Sequence, residues 1–189
     1  SPFSLVAGDG YLWTGNRGSG SVSRIDPGTG TVTEYVVGGE PGDIVFGQGK
    51  VWAWNYSSAM VSVDATTGTI SDLIRTELDI SGMVASPTSV WFTVPDKGVI
   101  GRIDMATGTY SGETIPVGRR PDSIAYGDGR LYVVNREDRT LITIDEATRT
   151  FVGAPLPLPD GISQVSVESG RLYLAGTAGF LAAQDTPSG

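Results

Sequence analysis

The chain has 189 residues; 27 are glycine, none is histidine or cysteine, and 13 basic against 21 acidic residues give a net charge of −8. That length suits one sizeable domain, and the composition excludes disulfides, thiolate nucleophiles and histidine base or metal chemistry. The acidic surface repels nucleic acid and anionic membranes, and no apolar run reaches the length of a membrane span, so neither partner is expected.

The chain opens Ser1-Pro2 without an initiator methionine, which predicts excision from a longer protein. A repeat of about forty residues then runs through it. The first copy, 2–38, has a lead-in over 2–10, the aromatic Trp13 and the triplet Arg24-Ile25-Asp26. The second, 39–78, has the lead-in 41–49 and predicted strands a to d at 44–46, 51–55, 61–64 and 69–74. The third, 79–118, carries Trp91 and Arg102-Ile103-Asp104 behind a blurred lead-in. The fourth, 119–158, has the lead-in 121–129 and strands at 124–126, 131–135, 141–145 and 150–156. The fifth, 159–189, carries Tyr173 and Asp185, and its last residues align with the turn after strand c, so it is incomplete.

The strand-b aromatics Trp13, Trp52, Trp91, Tyr132 and Tyr173 lie 39, 39, 41 and 41 residues apart. Beside them Leu12, Val51, Val90, Leu131 and Leu172 point to the opposite face, because strand side chains alternate. Both faces are large and apolar, so each sheet must be buried on both sides. Asp26, Asp64, Asp104, Asp145 and Asp185 each precede a turn, where a carboxylate can accept turn amides. The pattern predicts an all-β propeller of four-stranded blades, four complete and a partial fifth, in one domain.

The Pro-x-Ser/Asp-Ile lead-in, the Gly-Asp-Gly turn, the aromatic strand b, the Arg-Ile-Asp triplet and Tyr132-Val133-Val134-Asn135 resemble the YVTN-type and virginiamycin B lyase-like propeller repeats. NHL repeats are more distant relatives. For streptogramin lyases the resemblance implies a histidine base and a divalent metal near the central top surface. This chain has no histidine to carry that role. Lactonases of related shape imply carboxylates around a central ion; here Asp43, Asp79, Asp122 and Asp160 fall at differing repeat positions and form no regular ring. No catalytic residue, metal or cofactor is therefore expected.

In an up-and-down blade the b-to-c and d-to-a connections share one face. These are 16–20, 55–59, 95–98, 135–139 and 176–179, with 38–40, 118–120 and 158–160. They carry Arg17, Lys97, Arg119, Arg120, Arg136 and Arg139 among Glu40, Asp96, Glu137 and Asp138. Either the cations form a binding face, or they are solvated and locally ion-paired. Trp54 and Tyr56 favour the binding face: Trp54 aligns with Gly15, Thr93, Val134 and Ala175, so the repeat demands no aromatic there. Exposed aromatics beside basic loops are common interface anchors. Asn16, Asn55 and Asn135 recur at the end of strand b, where an asparagine bonds loop backbone.

The candidate binding set is Trp54, Tyr56, Asn55, Arg17, Arg119, Arg120 and Arg136. The expected role is a non-enzymatic, extracytoplasmic binding, sensor or scaffold module of a bacterial protein, with a protein or small ligand on the loop face. Its terminal blades are expected to meet further blades or another copy. The alternative is a carboxylate- or metal-dependent lyase- or lactonase-like enzyme.

Overall fold

A computed structural model describes residues 1–56, 59–177 and, by backbone alone, 181–185. Among these the chain is all-β, in five sheets whose strands neighbour one another in chain order. Sheet 1 holds Pro2–Gly8, Tyr11–Asn16, Ser21–Ile25 and Val32–Val36. Sheet 2 holds Pro41–Gly47, Lys50–Asn55, Ala59–Asp64 and Ile74–Arg75. Sheet 3 holds Met83–Ala85, Ser89–Val94, Val99–Asp104 and Thr109–Pro116. Sheet 4 holds Pro121–Gly127, Arg130–Asn135 and Thr140–Asp145, with Thr150–Phe151 and Leu156–Pro157 both pairing the last of these. Sheet 5 holds Ile162–Glu168, Arg171–Gly176 and Leu181–Asp185. The helical segment described is the single 3-10 turn Pro95–Lys97.

Local chemistry sets these hairpins. In four a-to-b turns both central residues have positive φ: Asp9-Gly10, Gln48-Gly49, Asp128-Gly129 and Ser169-Gly170. That is the backbone of a tight hairpin turn whose twist matches the flanking strands. Sheet 3 has Pro87-Thr88 instead, which accounts for its blurred lead-in. At the c-to-d turns the expected capping is present. Asp26 Oδ1 accepts the amides of Gly28 and Thr29 at 2.8 and 3.2 Å, and Asp64 Oδ1 those of Thr66 and Thr67 at 3.0 and 2.8 Å. Asp104 and Asp145 repeat the contact. Hydrogen bonds from these turn amides hold the carboxyls of Asp26, Asp64 and Asp145 below their ordinary pKa. The side chain of Asp185 and residues 186–189 lie outside the described residues.

Two predicted d strands differ. Over 69–74 only Ile70 bridges Val63, and pairing resumes at Ile74–Arg75. The Ser71 hydroxyl is the cause: the Ser62 amide donates to Ser71 Oγ at 2.9 Å in place of a backbone carbonyl. Over 150–156 the strand breaks because Gly153 adopts φ +71 and Pro155 has no N–H to give the ladder.

Packing divides the chain into two compact units. The first comprises Ser1–Asp79, Pro87–Val90 and Ile103–Gly112; the second comprises Ile80–Ser86, Trp91–Arg102 and Glu113–Gly189. In the first, Trp13 and Val22 of sheet 1, with Val37 just beyond its last strand, pack on Ile44, Val51, Ala53, Val61 and Val63 of sheet 2. In the second, Trp91, Ile100 and Val117 pack on Leu131, Val133, Ile142 and Ile144, and Tyr132 and Val134 pack on Leu172 and Leu174. Each core thus joins the aromatic face of one sheet to the aliphatic face of the next. Trp13, Trp52, Trp91 and Tyr132 are buried as expected. Tyr173 is only half-buried. Its neighbours Leu172 and Leu174 face sheet 4, so alternation turns it away, and its unit contains no later sheet among the described residues.

Candidate functional site

Strand b of sheet 1 ends at Asn16 and delivers Arg17 into the following turn. Strand b of sheet 2 ends at Asn55 and delivers Tyr56. The Arg17 guanidinium is clasped between two rings, 4.0 Å from the centre of Phe3 and 4.2 Å from that of Tyr56. Arg17 Nη2 also donates to the Tyr56 hydroxyl. Both rings are open to solvent, Phe3 at 56% and Tyr56 at 52%. Arg17 Nε is buried without a hydrogen-bond partner among the described residues. Gly42 permits the arrangement, since a Cβ there would lie 3.0 Å from the Tyr56 ring. Sequence reasoning missed Phe3. It occupies the variable place of the lead-in, where the other well-aligned copies have Gly42 and Asp122, and that contrast was the available signal.

Trp54 and Asn55 correct the expected set. Trp54 is 3% exposed and is no surface anchor. Its row explains why. In sheet 1 one transverse row reads Gly15, Val22, Tyr35; in sheet 2 the matching row reads Trp54, Met60, Ile74. The bulk that sheet 1 places on its outer strand, sheet 2 places on strand b. Asn55 is buried too, against Gly39. Its counterparts hold turns: Asn135 Nδ2 donates to the Val117 carbonyl at 2.8 Å, and Asn16 Nδ2 to the Ser23 hydroxyl at 2.8 Å. Ser57 and Ser58 of that loop, and Ala178 and Gly179 of the fifth, lie outside the described residues.

In the second unit the candidate cations are engaged. Arg119 Nε lies 2.6 Å from Asp138 Oδ1, and Asp138 Oδ2 accepts the Arg119 amide at 2.7 Å. Those bonds lower the Asp138 pKa and raise that of Arg119. Arg120 and Arg136 both lie 3.4 Å from the Asp122 carboxylate, and Arg139 lies 2.7 Å from Asp160. Asp43 Oδ1 accepts the Ile44 amide at 3.0 Å. Two of the lead-in acids are therefore tied to arginines and one to its own backbone. Among the described residues no three acidic side chains gather as a metal-binding group.

No protein-family model matches the sequence, and no curated protein matches it. Solved structures do. A catalytically inactive histidine-to-alanine variant of virginiamycin B lyase from Staphylococcus aureus, with quinupristin, is 18% identical; the match covers all of this chain and 71% of the lyase, with a TM-score of 0.72. A selenomethionine-substituted structure of that lyase is 17% identical, at 99% and 70% coverage and the same TM-score. Apo AztD from Citrobacter koseri is 14% identical, at 85% and 48% coverage, with a TM-score of 0.69. The chain therefore has the fold class of β-propeller proteins. Within that class its fold is virginiamycin B lyase-like.

Proposed function

We propose that the chain is a non-enzymatic binding or sensor module that recognises a protein or small ligand through the loop face around Phe3, Arg17 and Tyr56. The clasped guanidinium carries this reading. Two half-exposed rings on either side of a positioned arginine combine the residue types that dominate interface hot spots. The absence of histidine and cysteine from the sequence, and the commitment of Asp122, Asp138 and Asp160 to arginines, support binding over turnover.

We read the sheets as propeller blades, four complete and a fifth of three strands, bounded at about 2–38, 39–78, 79–118, 119–158 and 159–189. Five sheets matched to 71% of the lyase scale to a ring of about seven blades, so blades from the rest of a parent protein or from a second copy would complete the array. An extracytoplasmic bacterial setting is supported by the cysteine-free acidic composition and by the likeness to bacterial propellers. The test is affinity capture of partners from bacterial envelope extract. A specific partner should be retained by the wild type and by Arg149→Ser, but lost by Arg17→Ser and Tyr56→Ala. Turnover of quinupristin by the purified chain would overturn the non-enzymatic reading.

A further inference from the structure

The outer rim of the first unit contains one slot twice, filled once and open once. In the filled slot Arg24 Nη1 donates to the Ala65 carbonyl at 2.9 Å. Its guanidinium lies 4.5, 5.9 and 6.0 Å from the ring centres of Tyr11, Trp13 and Tyr35. The Tyr35 ring stacks on Trp13, centres 5.9 Å apart at an interplanar angle of 27°. It also covers Gly68 so closely that a Cβ there would meet Tyr35 Cε1 at 2.7 Å.

The register makes Lys50, Ser62 and Ile74 the counterparts of Tyr11, Arg24 and Tyr35. Gly108 is the counterpart of Gly68, four residues after the capping aspartate in each turn. Ser62 and Ile74 are too small to replace an arginine and a tyrosine. A Cβ built at Gly108 would find nothing within 4 Å. A cavity of about 520 Å³ opens in this place, walled by Lys50, Ser62, Leu73, Ile74, Gly108 and Tyr110, with buried Trp52 at its floor.

Arg24 and Tyr35 have no equivalents here, but a cation still stands beside the strand-b ring, supplied by Lys50 from the place of Tyr11. Lys50 Nζ lies 5.9 Å from the Trp52 ring centre, the distance that separates Arg24 from Trp13. Unlike Arg119, Arg120, Arg136 and Arg139, neither Lys50 nor Arg75 on the rim forms a close ion pair among the described residues; Lys50 stands across the ladder from Asp64, whose carboxyl its charge, after the turn amides, helps to hold below its ordinary pKa. Asp72 is the one acid in the lining. The cavity thus has room for a planar ring and is bordered by two cations, Lys50 and Arg75, neither of them held in a close ion pair.

We propose that this cavity binds a small aromatic carboxylate, whose ring takes the place above Gly108 that Tyr35 fills above Gly68, and whose carboxylate pairs with Lys50. The ring would gain apolar contact with Leu73 and Ile74, and the carboxylate a charge-assisted partner. This site is independent of the loop face, and neither reading depends on the other.

The probe is 4-hydroxyphenylacetate, which joins a tyrosine-like ring to a carboxylate, titrated into the 189-residue chain and followed by amide NMR. Saturable shifts at Gly108 and Tyr110 are expected. Acetate, which has no ring, and 4-hydroxyphenylacetamide, which has no charge, should each bind at least about tenfold more weakly, as should 4-hydroxyphenylacetate itself to Lys50→Met. Replacing Ser62 by Arg together with Ile74 by Tyr should abolish binding and raise the Tm, because the chain then fills its own slot. No saturation below about 10 mM, equal affinity for acetate, or shifts confined to other residues would overturn the proposal. Those readings on the wild type and on Lys50→Met decide the matter even if the double variant fails to fold.

Discussion

Sheets 1 and 2 share a repeat, a register and a pair of capping aspartates, yet they distribute volume in opposite ways. In sheet 1 the row Gly15, Val22, Tyr35 is thin on the inside and heavy on the outside. In sheet 2 the row Trp54, Met60, Ile74 is the reverse. The fold requires that a row be filled but does not fix the strand that fills it. An unusual residue in an aligned position is therefore understood through its row partners. Trp54 looks like a surplus aromatic beside Gly15 and like a necessary one beside Ile74.

The largest effect should come from emptying the inner end of the heavy row. Trp54→Ala should cost roughly 3–5 kcal/mol, the range for large-to-small changes of buried aromatics. A denaturation midpoint close to wild type would mean that the row does not depend on it. Next comes the outer end of the other row. Tyr35→Ala should cost about 2 kcal/mol, less because the ring is only partly buried. It should also open in sheet 1 a cavity like the one above Gly108.

A finer contrast lies in the two turn glycines. Gly68 and Gly108 have φ of +73 and +66, so alanine is similarly strained at both. Only Gly68 has a ring over it. Gly68→Ala should therefore be less stable than Gly108→Ala by about 1 kcal/mol, measured by paired urea titrations. Equal costs would show that Tyr35 yields freely.

The smallest effect is common to the turns of both sheets. Asp26 and Asp64 have folded pKa values below those of the unfolded chain, because turn amides donate to the carboxylates. Such a group stabilises the fold fully above its unfolded pKa, and that contribution is lost as pH falls through the folded value. The Tm should hold steady down to about pH 5 and then decline below about pH 4. Asp64→Asn should soften the decline, and an unchanged profile would remove the cap from the account of stability.

The repeat was legible because the sheets share the same few needs: in four of the five a positive-φ pair to turn strand a into b, an apolar residue on either face of strand b, and an aspartate at the c-to-d turn. These are local demands, and residues such as Gly49, Trp52 and Asp64 declare them individually. The breaks in strand d were less legible. That at 71 depends on a serine hydroxyl replacing a backbone acceptor, and nothing in the spacing of Ser62 and Ser71 shows which oxygen will be used. The break at 153–155 was marked by Gly153 and Pro155, whose local signals outweighed the repeat. Within the site, Arg17 and Tyr56 were found from their loops, but their meeting with Phe3 joins neighbouring repeats. For the arginines at 119, 120, 136 and 139 the sequence left a binding face and local ion pairing both open, and the geometry supplies Asp122, Asp138 and Asp160 as their partners.

The positive-φ turns bear on how the chain reaches its folded state. Each closes a hairpin between strands only two residues apart, such as Gly8 with Tyr11 and Gly127 with Arg130. Links between neighbouring sheets, such as Ser4 to Gly42 and Arg24 to Ala65, span 38 and 41 residues. A sheet can therefore assemble from hairpins and be covered as soon as the next repeat has been synthesised. Loop-closure entropy is then met in short instalments rather than in one long search. Folding of this kind can begin in any sheet and spread to its neighbours, and a nascent chain can acquire its cores one at a time in the order in which the repeats emerge.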